Sequence, residues 1–211
     1  MDDSLGRILQ KLDELQLADQ TVIFFNSDNG GLVLNNVTSN QPLRAGKGSQ
    51  YEGGVRVPLI VKWPGVTRPG SVCDVPVITP DFYPTLLALA KLKPAKRQMV
   101  DGESIVPLLR QTGHLRRETI YWHYPHYHPG GATPYGAIRE GDWKLIEVFE
   151  DQHVELYNLK DDLGEQTDLA GHLPKQAAEL RAKLVAWRKQ VGAQMPMPNP
   201  NYDSQRATTN P

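Results

Sequence analysis

The apolar run Thr-Val-Ile-Phe-Phe at residues 21–25 is the feature that most constrains the fold of this chain. It lacks the polar alternation of a strand with one wet face, so it predicts a strand buried on both faces, the usual pattern in a parallel sheet. Residues 4–16, just before it, carry leucine and isoleucine at helical spacing. An amphipathic helix followed closely by a buried strand is typical of an α/β fold.

The remaining sequence predicts two different patterns of secondary structure. A strand at 57–63 and a helix from Thr79 to about Lys91 continue the first pattern. Beyond residue 113, short segments predict a four-stranded antiparallel sheet with strands at 119–124, 135–139, 143–148 and 154–159. A helix at 175–191 carries an apolar stripe and is expected to cover one face of this sheet. We therefore predict an α/β portion at 1–112, an α+β subdomain at 113–194 and an extended tail at 195–211.

The composition excludes several classes of protein. The formal net charge of -1 gives no basic surface for nucleic acid or an anionic membrane. No apolar run reaches the roughly 18 residues of a membrane-spanning helix. Cys73 is the single cysteine, so an intrachain disulfide is excluded, and we expect this residue to be a small buried apolar side chain.

The sequence Asn-Ser-Asp-Asn-Gly-Gly at residues 26–31 directly follows the first predicted strand. Ligands of open α/β sheets bind beyond the carboxyl ends of the strands, where Asp28 and Asn29 would offer two oxygen donors. Oxygen donors favour a hard cation such as Ca²⁺ or Mg²⁺. The alternative is a simple Asp-Asn-Gly turn held by side-chain hydrogen bonds.

A second candidate is Lys47, which lies between Gly46 and Gly48. Its ammonium group is flanked by bare backbone and could reach an oxyanion, although it could equally be a solvated loop cation. The spacing does not match a phosphate-binding P-loop. Arg44 and Arg56 lie nearby, and we interpret both as structural residues that pair within the protein.

A third candidate is the segment 122–131, Trp-His-Tyr-Pro-His-Tyr-His-Pro-Gly-Gly. Its aromatic faces could stack on sugar rings, and His123, His126 and His128 could hydrogen-bond to hydroxyls. Structural packing is an equal alternative. The spacing of these histidines matches no closed zinc site.

These elements occur in a fixed order along the chain. Ser-Asp-Asn-Gly at 27–30 is followed by Gly-Lys-Gly at 46–48, Glu-Gly-Gly-Val-Arg-Val-Pro at 52–58, Trp-Pro-Gly at 63–65, Thr-Pro-Asp-Phe-Tyr-Pro-Thr-Leu at 79–86 and Ala-Ile-Arg-Glu-Gly-Asp-Trp-Lys-Leu at 137–145. This ordered set closely resembles the type I sulfatases of the alkaline phosphatase superfamily. The resemblance implies the C-terminal part of the sulfatase sandwich, plus a small antiparallel sheet packed on a C-terminal helix.

The resemblance also implies a chemistry. In the family, a cysteine or serine of a C/S-x-P/A-x-R motif is oxidised to formylglycine, whose hydrate attacks sulfur while Ca²⁺ holds the sulfate oxygens. By position, Asp28 and Asn29 match metal ligands for Ca²⁺ or Mg²⁺, and Lys47 matches the lysine that contacts the sulfate. His123 and His126 are expected to bind the substrate, a sulfate ester that could be a sulfated carbohydrate. The family further implies a periplasmic or secreted location.

This sequence departs from the family pattern, because its 211 residues contain no C/S-x-P/A-x-R motif. The first metal aspartates and the lysine–histidine pair that follows the nucleophile are also missing. We therefore expect a portion of a longer sulfuric ester hydrolase that is inactive alone and needs its N-terminal portion as a partner. The exposed core surface of such a portion could drive oligomerisation. Alternatives are a non-catalytic module that binds sulfated glycans, and a phosphodiesterase or phosphonate hydrolase on the same fold.

Overall fold

A computed structural model describes residues 1–197 and 199–202 of the chain. The helices are α1 (Asp2–Glu14), α2 (Glu52–Val55), α3 (Phe82–Leu89), α4 (Val106–Leu109) and α5 (Pro174–Gln190), and short 3-10 turns lie at Ala18–Gln20, Leu34–Asn36 and Thr79–Asp81. The strands are β1 (Ile23–Asn26), β2 (Leu59–Lys62), β3 (Thr119–Tyr124), β4 (Tyr135–Glu140), β5 (Trp143–Val148) and β6 (Val154–Asn158). Within the described part of the chain, no helix is both long and apolar enough to cross a bilayer.

The chain divides into two compact units that alternate along the sequence. The first unit contains residues 1–28 and 57–118, and the second contains 29–56 and the residues from 119 onward. Residues 29–56, which we call the glycine-rich segment, therefore pack with the later strands rather than with their sequence neighbours. The three parts proposed from the sequence, with boundaries at 112 and 194, stay a prediction.

In the first unit, β1 pairs with β2 in antiparallel register, from Ile23 opposite Lys62 to Asn26 opposite Leu59. The expectation that this strand belongs to a parallel sheet is therefore wrong for this pair. The expectation of burial on both faces is also wrong, because Ile23 to Phe25 are half-buried and Asn26 is exposed. An apolar run indicates burial but not strand direction, which is set by the partner that tertiary contacts supply. The small core of this unit consists of Ile105, Leu108 and Leu115, with Phe24, Leu59, Val77 and Leu109 packed around it.

A buried ion pair holds the start of α3 in the first unit. Asp81 is fully buried, and its two carboxylate oxygens accept hydrogen bonds from Arg117 at 2.6 and 2.7 Å. The same carboxylate accepts the backbone N–H groups of Ile78 and Glu103, each at 2.9 Å. The predicted helix start at Thr79 is confirmed, and Asp81 satisfies backbone donors that would otherwise be buried without a partner.

Cys73 is exposed, so the expectation of a buried cysteine is wrong. It lies in an irregular stretch whose residues 68–76 are all exposed. A small apolar side chain is buried only where the surrounding backbone forms part of a core, and the sequence around Cys73 gave no such signal.

The second unit is built on an antiparallel meander with strand order β3-β4-β5-β6. The predicted strand bounds are confirmed to within one residue, and β4 and β5 are joined by a tight turn at Gly141-Asp142. One face of the sheet packs on α5 through Ile138, Leu145, Leu156, Ala177, Leu180 and Leu184. The prediction that the C-terminal helix covers one face is therefore confirmed. Val191, the last residue of the predicted helix, lies just beyond the end of α5 at Gln190 and is exposed.

The opposite face of the meander has its own core, formed by Ala132, Tyr135, Ala137, Ile146, Val148, Tyr157 and Leu159. Tyr51, from the glycine-rich segment, packs against this core. The predicted tail at 195–211 lies partly outside the described residues, and in its described part Met195, Met197 and Tyr202 are exposed.

Candidate functional site

The glycine-rich segment is held together by hydrogen bonds within its own backbone. The N–H of Gly30 donates to the carbonyl of Gly54 at 3.0 Å, and the N–H of Lys47 donates to the carbonyl of Gly31 at 3.1 Å. Gly53 donates to the carbonyl of Arg44 at 2.8 Å. These three bonds join parts of the segment that are far apart in sequence, and they bring the backbone of residues 29–31 beside Lys47.

Two close backbone contacts within the segment require glycine. A Cβ atom at Gly30 would lie 1.7 Å from the carbonyl oxygen of Gly53, and one at Gly46 would lie 2.3 Å from that of Gly31. Both contacts are with backbone, which cannot move aside as a flexible side chain can. The glycines next to the predicted site residues therefore permit close packing.

The side-chain amide of Asn40 forms hydrogen bonds with the backbone of the same glycine-rich segment. Its Oδ1 accepts the N–H of Gly31 at 3.0 Å, and its Nδ2 donates to the carbonyls of Gly31 at 2.9 Å and Ala45 at 3.0 Å. The sequence analysis missed this residue. An asparagine in a polar loop gives no signal that it links two distant parts of the backbone rather than lying in a solvated turn.

The predicted metal ligands Asp28 and Asn29 are adjacent in sequence. Asp28 is exposed and ends the first unit, and Asn29 is half-buried, begins the second unit and donates from Nδ2 to the carbonyl of Gly30 at 2.9 Å. A Ca²⁺ ion takes about six to eight oxygen ligands, so a carboxylate and a carboxamide fit one part of such a shell. Among residues 1–197 and 199–202, no cluster of three His, Cys, Asp or Glu side chains could hold a metal.

The side chain of Lys47 is exposed, while its backbone is fixed on both sides. The carbonyl of the next residue, Gly48, accepts the N–H of Ala132 at 3.0 Å. This bond ties the glycine-rich segment to the loop between β3 and β4. The structure therefore brings three sequence-predicted elements together in the second unit: the backbone after Asn29, Lys47 and the histidine-rich loop.

The three histidines of segment 122–131 have different surroundings, and His123 lies on β3 rather than in the loop. His128 packs on the backbone of Gly48, where an added Cβ atom would lie 2.0 Å from its Nδ1. His123 shares a hydrogen bond of 2.7 Å between Nε2 and the carbonyl of Gln194, and its ring lies 5.7 Å from that of Phe149. His126 is exposed and meets the ring of Tyr124 edge-on at 5.4 Å. Substrate binding by His123 and His126 stays a prediction.

A buried cluster of charged side chains joins the glycine-rich segment to β5. Lys144 on β5 is 0% exposed, and its Nζ lies 2.9 Å from Glu52 Oε1 and 2.8 Å from Glu165 Oε1. The other oxygen of Glu165 accepts the backbone N–H of Glu52 at 2.6 Å. Burial raises the pKa of Glu165, because removal from water disfavours its charged form, and the adjacent Lys144 opposes this shift.

Two arginines complete the support, as the sequence analysis predicted when it assigned them structural roles. Arg56 lies 3.7 Å from Glu52 Oε2. Arg44 stacks on the ring of Tyr51 at 3.6 Å and donates to the hydroxyl of Tyr157 and the carbonyl of Glu165, both at 2.9 Å. Burial, with the nearby charge of Glu155, raises the pKa of Tyr51 to about 12, so Tyr51 keeps the proton that it donates to Glu155.

Lys144 and Glu165 were missed by the sequence analysis, although the pattern held one usable signal. Lys144, Ile146 and Val148 alternate along β5 and therefore face the same side of the sheet. Since Ile146 and Val148 are apolar, a lysine in that row points into the core. A buried lysine requires a buried anion, which directs attention to the glutamates.

Comparison with known proteins agrees with this architecture. The fold matches the crystal structure of Ps i-CgsB in complex with k-i-k-neocarrahexaose, with a TM-score of 0.78 and 30% identity over 98% of this chain and 44% of that one. It also matches BT4656 in complex with its substrate D-glucosamine-2-N,6-O-disulfate, with a TM-score of 0.71 and 26% identity over 92% of this chain and 39% of that one. The predicted fold class, part of the alkaline-phosphatase-like sulfatase fold, is confirmed.

The sequence comparisons define the family. The family described as N-sulphoglucosamine sulphohydrolase, C-terminal, matches residues 46–191, and this chain belongs to it. A sulfatase of Formosa agariphila is 41% identical over 210 residues, a match that covers 89% of this chain and 38% of that protein. The chain thus spans well under half the length of this relative.

Proposed function

We propose that this chain acts as the C-terminal portion of a sulfuric ester hydrolase, in which Lys47 binds the sulfate group of the substrate. The observation that supports this proposal most is the hydrogen bond of 3.1 Å from Lys47 N–H to the carbonyl of Gly31. It fixes the lysine backbone beside the residues that follow Asn29, and the exposed side chain is left to reach a ligand. The ammonium group of such a lysine offsets the negative charge of a sulfate ester.

Asp28 and Asn29 are proposed to hold part of the coordination shell of a divalent cation, Ca²⁺ or Mg²⁺. Bound there, the cation would offset charge on the oxygens of the sulfuryl group. The contribution of this chain would be one carboxylate and one carboxamide oxygen, placed next to a backbone that Asn40 and Gly54 hold rigid. Formylglycine, the family's nucleophile, would come from a portion of the enzyme that contains the C/S-x-P/A-x-R motif.

The substrate is proposed to be a sulfated carbohydrate. Two similar structures support this class, one in complex with k-i-k-neocarrahexaose and one with D-glucosamine-2-N,6-O-disulfate. In this chain, Tyr127 is exposed in the loop that adjoins Gly48, and an exposed aromatic face is suited to stacking on a sugar ring.

Titration of the full chain with D-glucosamine-2-N,6-O-disulfate, followed by backbone amide NMR, tests the proposal. We expect shifts at residues 46–48 and a loss of affinity of about tenfold or more in Lys47→Ala, because an ion-paired hydrogen bond to sulfate contributes roughly 1.5–3 kcal/mol. Lys160→Ala, which removes another exposed lysine of the second unit, is the matched control. Unchanged affinity in Lys47→Ala would refute the assignment.

The same titration separates a sulfatase portion from a non-catalytic glycan-binding module. A sulfatase portion should bind the sulfated sugar more tightly when Ca²⁺ is present, and Asp28→Asn should weaken that effect. Binding that is equally strong with and without Ca²⁺ would favour the glycan-binding module. In either case we expect no turnover of an aryl sulfate by the chain alone, so robust hydrolysis would show that the missing motif is dispensable.

A further inference from the structure

His128 carries a hydrogen-bond pattern that fixes the position of its proton. The backbone N–H of Gly130 donates to His128 Nδ1 at 2.9 Å. A backbone N–H can only donate, so Nδ1 must offer its lone pair. The neutral imidazole then has its proton on Nε2, which makes Nε2 a hydrogen-bond donor.

The same ring is held one residue away from Lys47. It packs on Gly48, whose φ of +80° and missing Cβ admit the imidazole at that distance. A Cβ atom at Gly130 would lie 2.4 Å from the carbonyl oxygen of Lys47, so the loop backbone also touches the lysine directly. Two backbone bonds inside the loop, from His128 N–H to the carbonyl of Ala132 at 2.8 Å and from Gly131 N–H to the carbonyl of His128 at 2.9 Å, fix the backbone from which the ring extends.

We propose that His128 is a specificity-determining residue, whose Nε2–H donates to a hydroxyl oxygen of the sugar that carries the sulfate bound by Lys47. This inference rests on the proposed function. A neutral N–H donor is suited to a neutral hydroxyl acceptor, whereas the ammonium group of Lys47 supplies the charge that a sulfate requires.

The other two histidines of segment 122–131 are less suited to this role. His123 already uses Nε2 in its bond to Gln194, and its ring contacts Phe149 rather than the glycine-rich segment. His126 is exposed and contacts Tyr124. His128 combines a defined donor nitrogen with direct packing against the residue next to Lys47.

Two substitutions separate the donor nitrogen of His128 from its structural bond. His128→Asn places an amide oxygen near the position of Nδ1, where it can accept the N–H of Gly130, but it has no donor near the position of Nε2. His128→Ala removes both functions. Thermal melting of both variants reports whether the loop depends on the bond to Gly130, and we expect the melting temperature of His128→Asn to lie closer to that of the wild type.

Binding is measured by NMR titration with two probes, D-glucosamine-2-N,6-O-disulfate and 4-nitrophenyl sulfate, which has no hydroxyl group. Loss of one neutral hydrogen bond of about 1–1.5 kcal/mol corresponds to a loss of affinity of about tenfold. We expect His128→Asn to show this loss for the sugar and to bind the aryl sulfate within about twofold of the wild type. Lys47→Ala should weaken both probes.

Each outcome of this experiment decides a separate claim. Wild-type affinity of His128→Asn for the sugar would overturn the role of His128, and so would an equal loss for both probes, which would show that His128 only positions Lys47. If Lys47→Ala also binds both probes like the wild type, the proposed function fails as well. Direct ¹⁵N NMR of the imidazole provides an independent check, because a proton on Nδ1 would contradict the inferred tautomer.

Discussion

The two units differ in how completely each buries its own apolar surface. In the second unit, both faces of the meander have a core, and Ile138, Leu145 and Leu156 are fully buried. In the first unit, α1 has no buried residue and the sheet has two half-buried strands. A two-stranded sheet is marginally stable at best in water. The glycine-rich segment, which carries Lys47, thus belongs to the better packed of the two units.

This difference indicates where the site obtains its rigidity. The glycine-rich segment has little apolar core of its own, yet Glu52 bonds to Lys144 and Arg44 bonds to Tyr157, so two of its residues are anchored on the sheet. We infer that the position of Lys47 depends on the stability of the meander. The following substitutions test this comparison, in order of decreasing expected effect.

Lys144→Met should produce the largest loss of stability. It keeps the apolar length of the side chain but leaves Glu165 buried without its cation, and leaves Glu52 with only the more distant Arg56 and Arg139, at 3.7 and 3.6 Å. Removing one partner of a buried ion pair destabilises proteins by about 3–5 kcal/mol. The free energy of unfolding from urea titration measures the effect, and Lys160→Met, at an exposed position, should stay within about 0.5 kcal/mol of the wild type. A loss below about 1 kcal/mol in Lys144→Met would show that the cluster does not anchor the segment.

Leucine truncations compare a buried position of the meander with an exposed helical position of the first unit. Leu145→Ala removes a fully buried side chain of the meander and should destabilise by about 2–5 kcal/mol. Leu86→Ala, in α3 of the first unit, removes a side chain that is 52% exposed, and its effect should be below about 1 kcal/mol. Equal losses in the two variants, measured by the same urea titration, would contradict the comparison.

Gly48→Ala tests the contact between the glycine-rich segment and the histidine-rich loop. The added methyl group would lie 2.0 Å from His128 Nδ1, and overpacking of this kind destabilises by about 1–3 kcal/mol. Gly65→Ala is the matched control, because Gly65 has a φ of +72° but nothing within 4 Å of the added Cβ. Thermal melting should therefore show a larger decrease for Gly48→Ala, and identical decreases would indicate that only backbone strain is being measured.

The smallest predicted effect is a pH dependence at the surface of the second unit. A hydrogen bond from His153 to Asp151 raises the pKa of His153 in the folded protein. The protonated ring therefore stabilises the fold fully below the unfolded pKa of about 6.5, and this contribution disappears as the pH rises through the folded pKa. The pair is exposed, so the difference between wild type and His153→Gln should be below about 1 kcal/mol at pH 5.5 and close to zero at pH 8.5. A difference that grows with pH would contradict the sign.

The second unit was the more predictable part of the fold. Each strand of the meander contacts its neighbour in sequence, so local alternation and the turn at Gly141 were sufficient to define its bounds. The direction of β1 was not predictable, because its partner is separated from it by the whole glycine-rich segment. The ordered motifs proposed Lys47 and Asn29 as site residues. The hydrogen bonds of Asn40 depend on tertiary contacts that no local pattern encodes, and the alternation along β5 indicates the burial of Lys144 but not its partners Glu52 and Glu165.

The central claim is that the glycine-rich segment unfolds cooperatively with the meander. Native-state hydrogen exchange tests this claim most directly. The amides of Gly30, Lys47 and Gly53 each donate to a carbonyl within the segment. If the segment opens only together with the sheet, these amides should exchange with opening free energies within about 1 kcal/mol of those of β4 and β5, and well above those of α1. Exchange at these three amides as fast as in α1 would contradict the account.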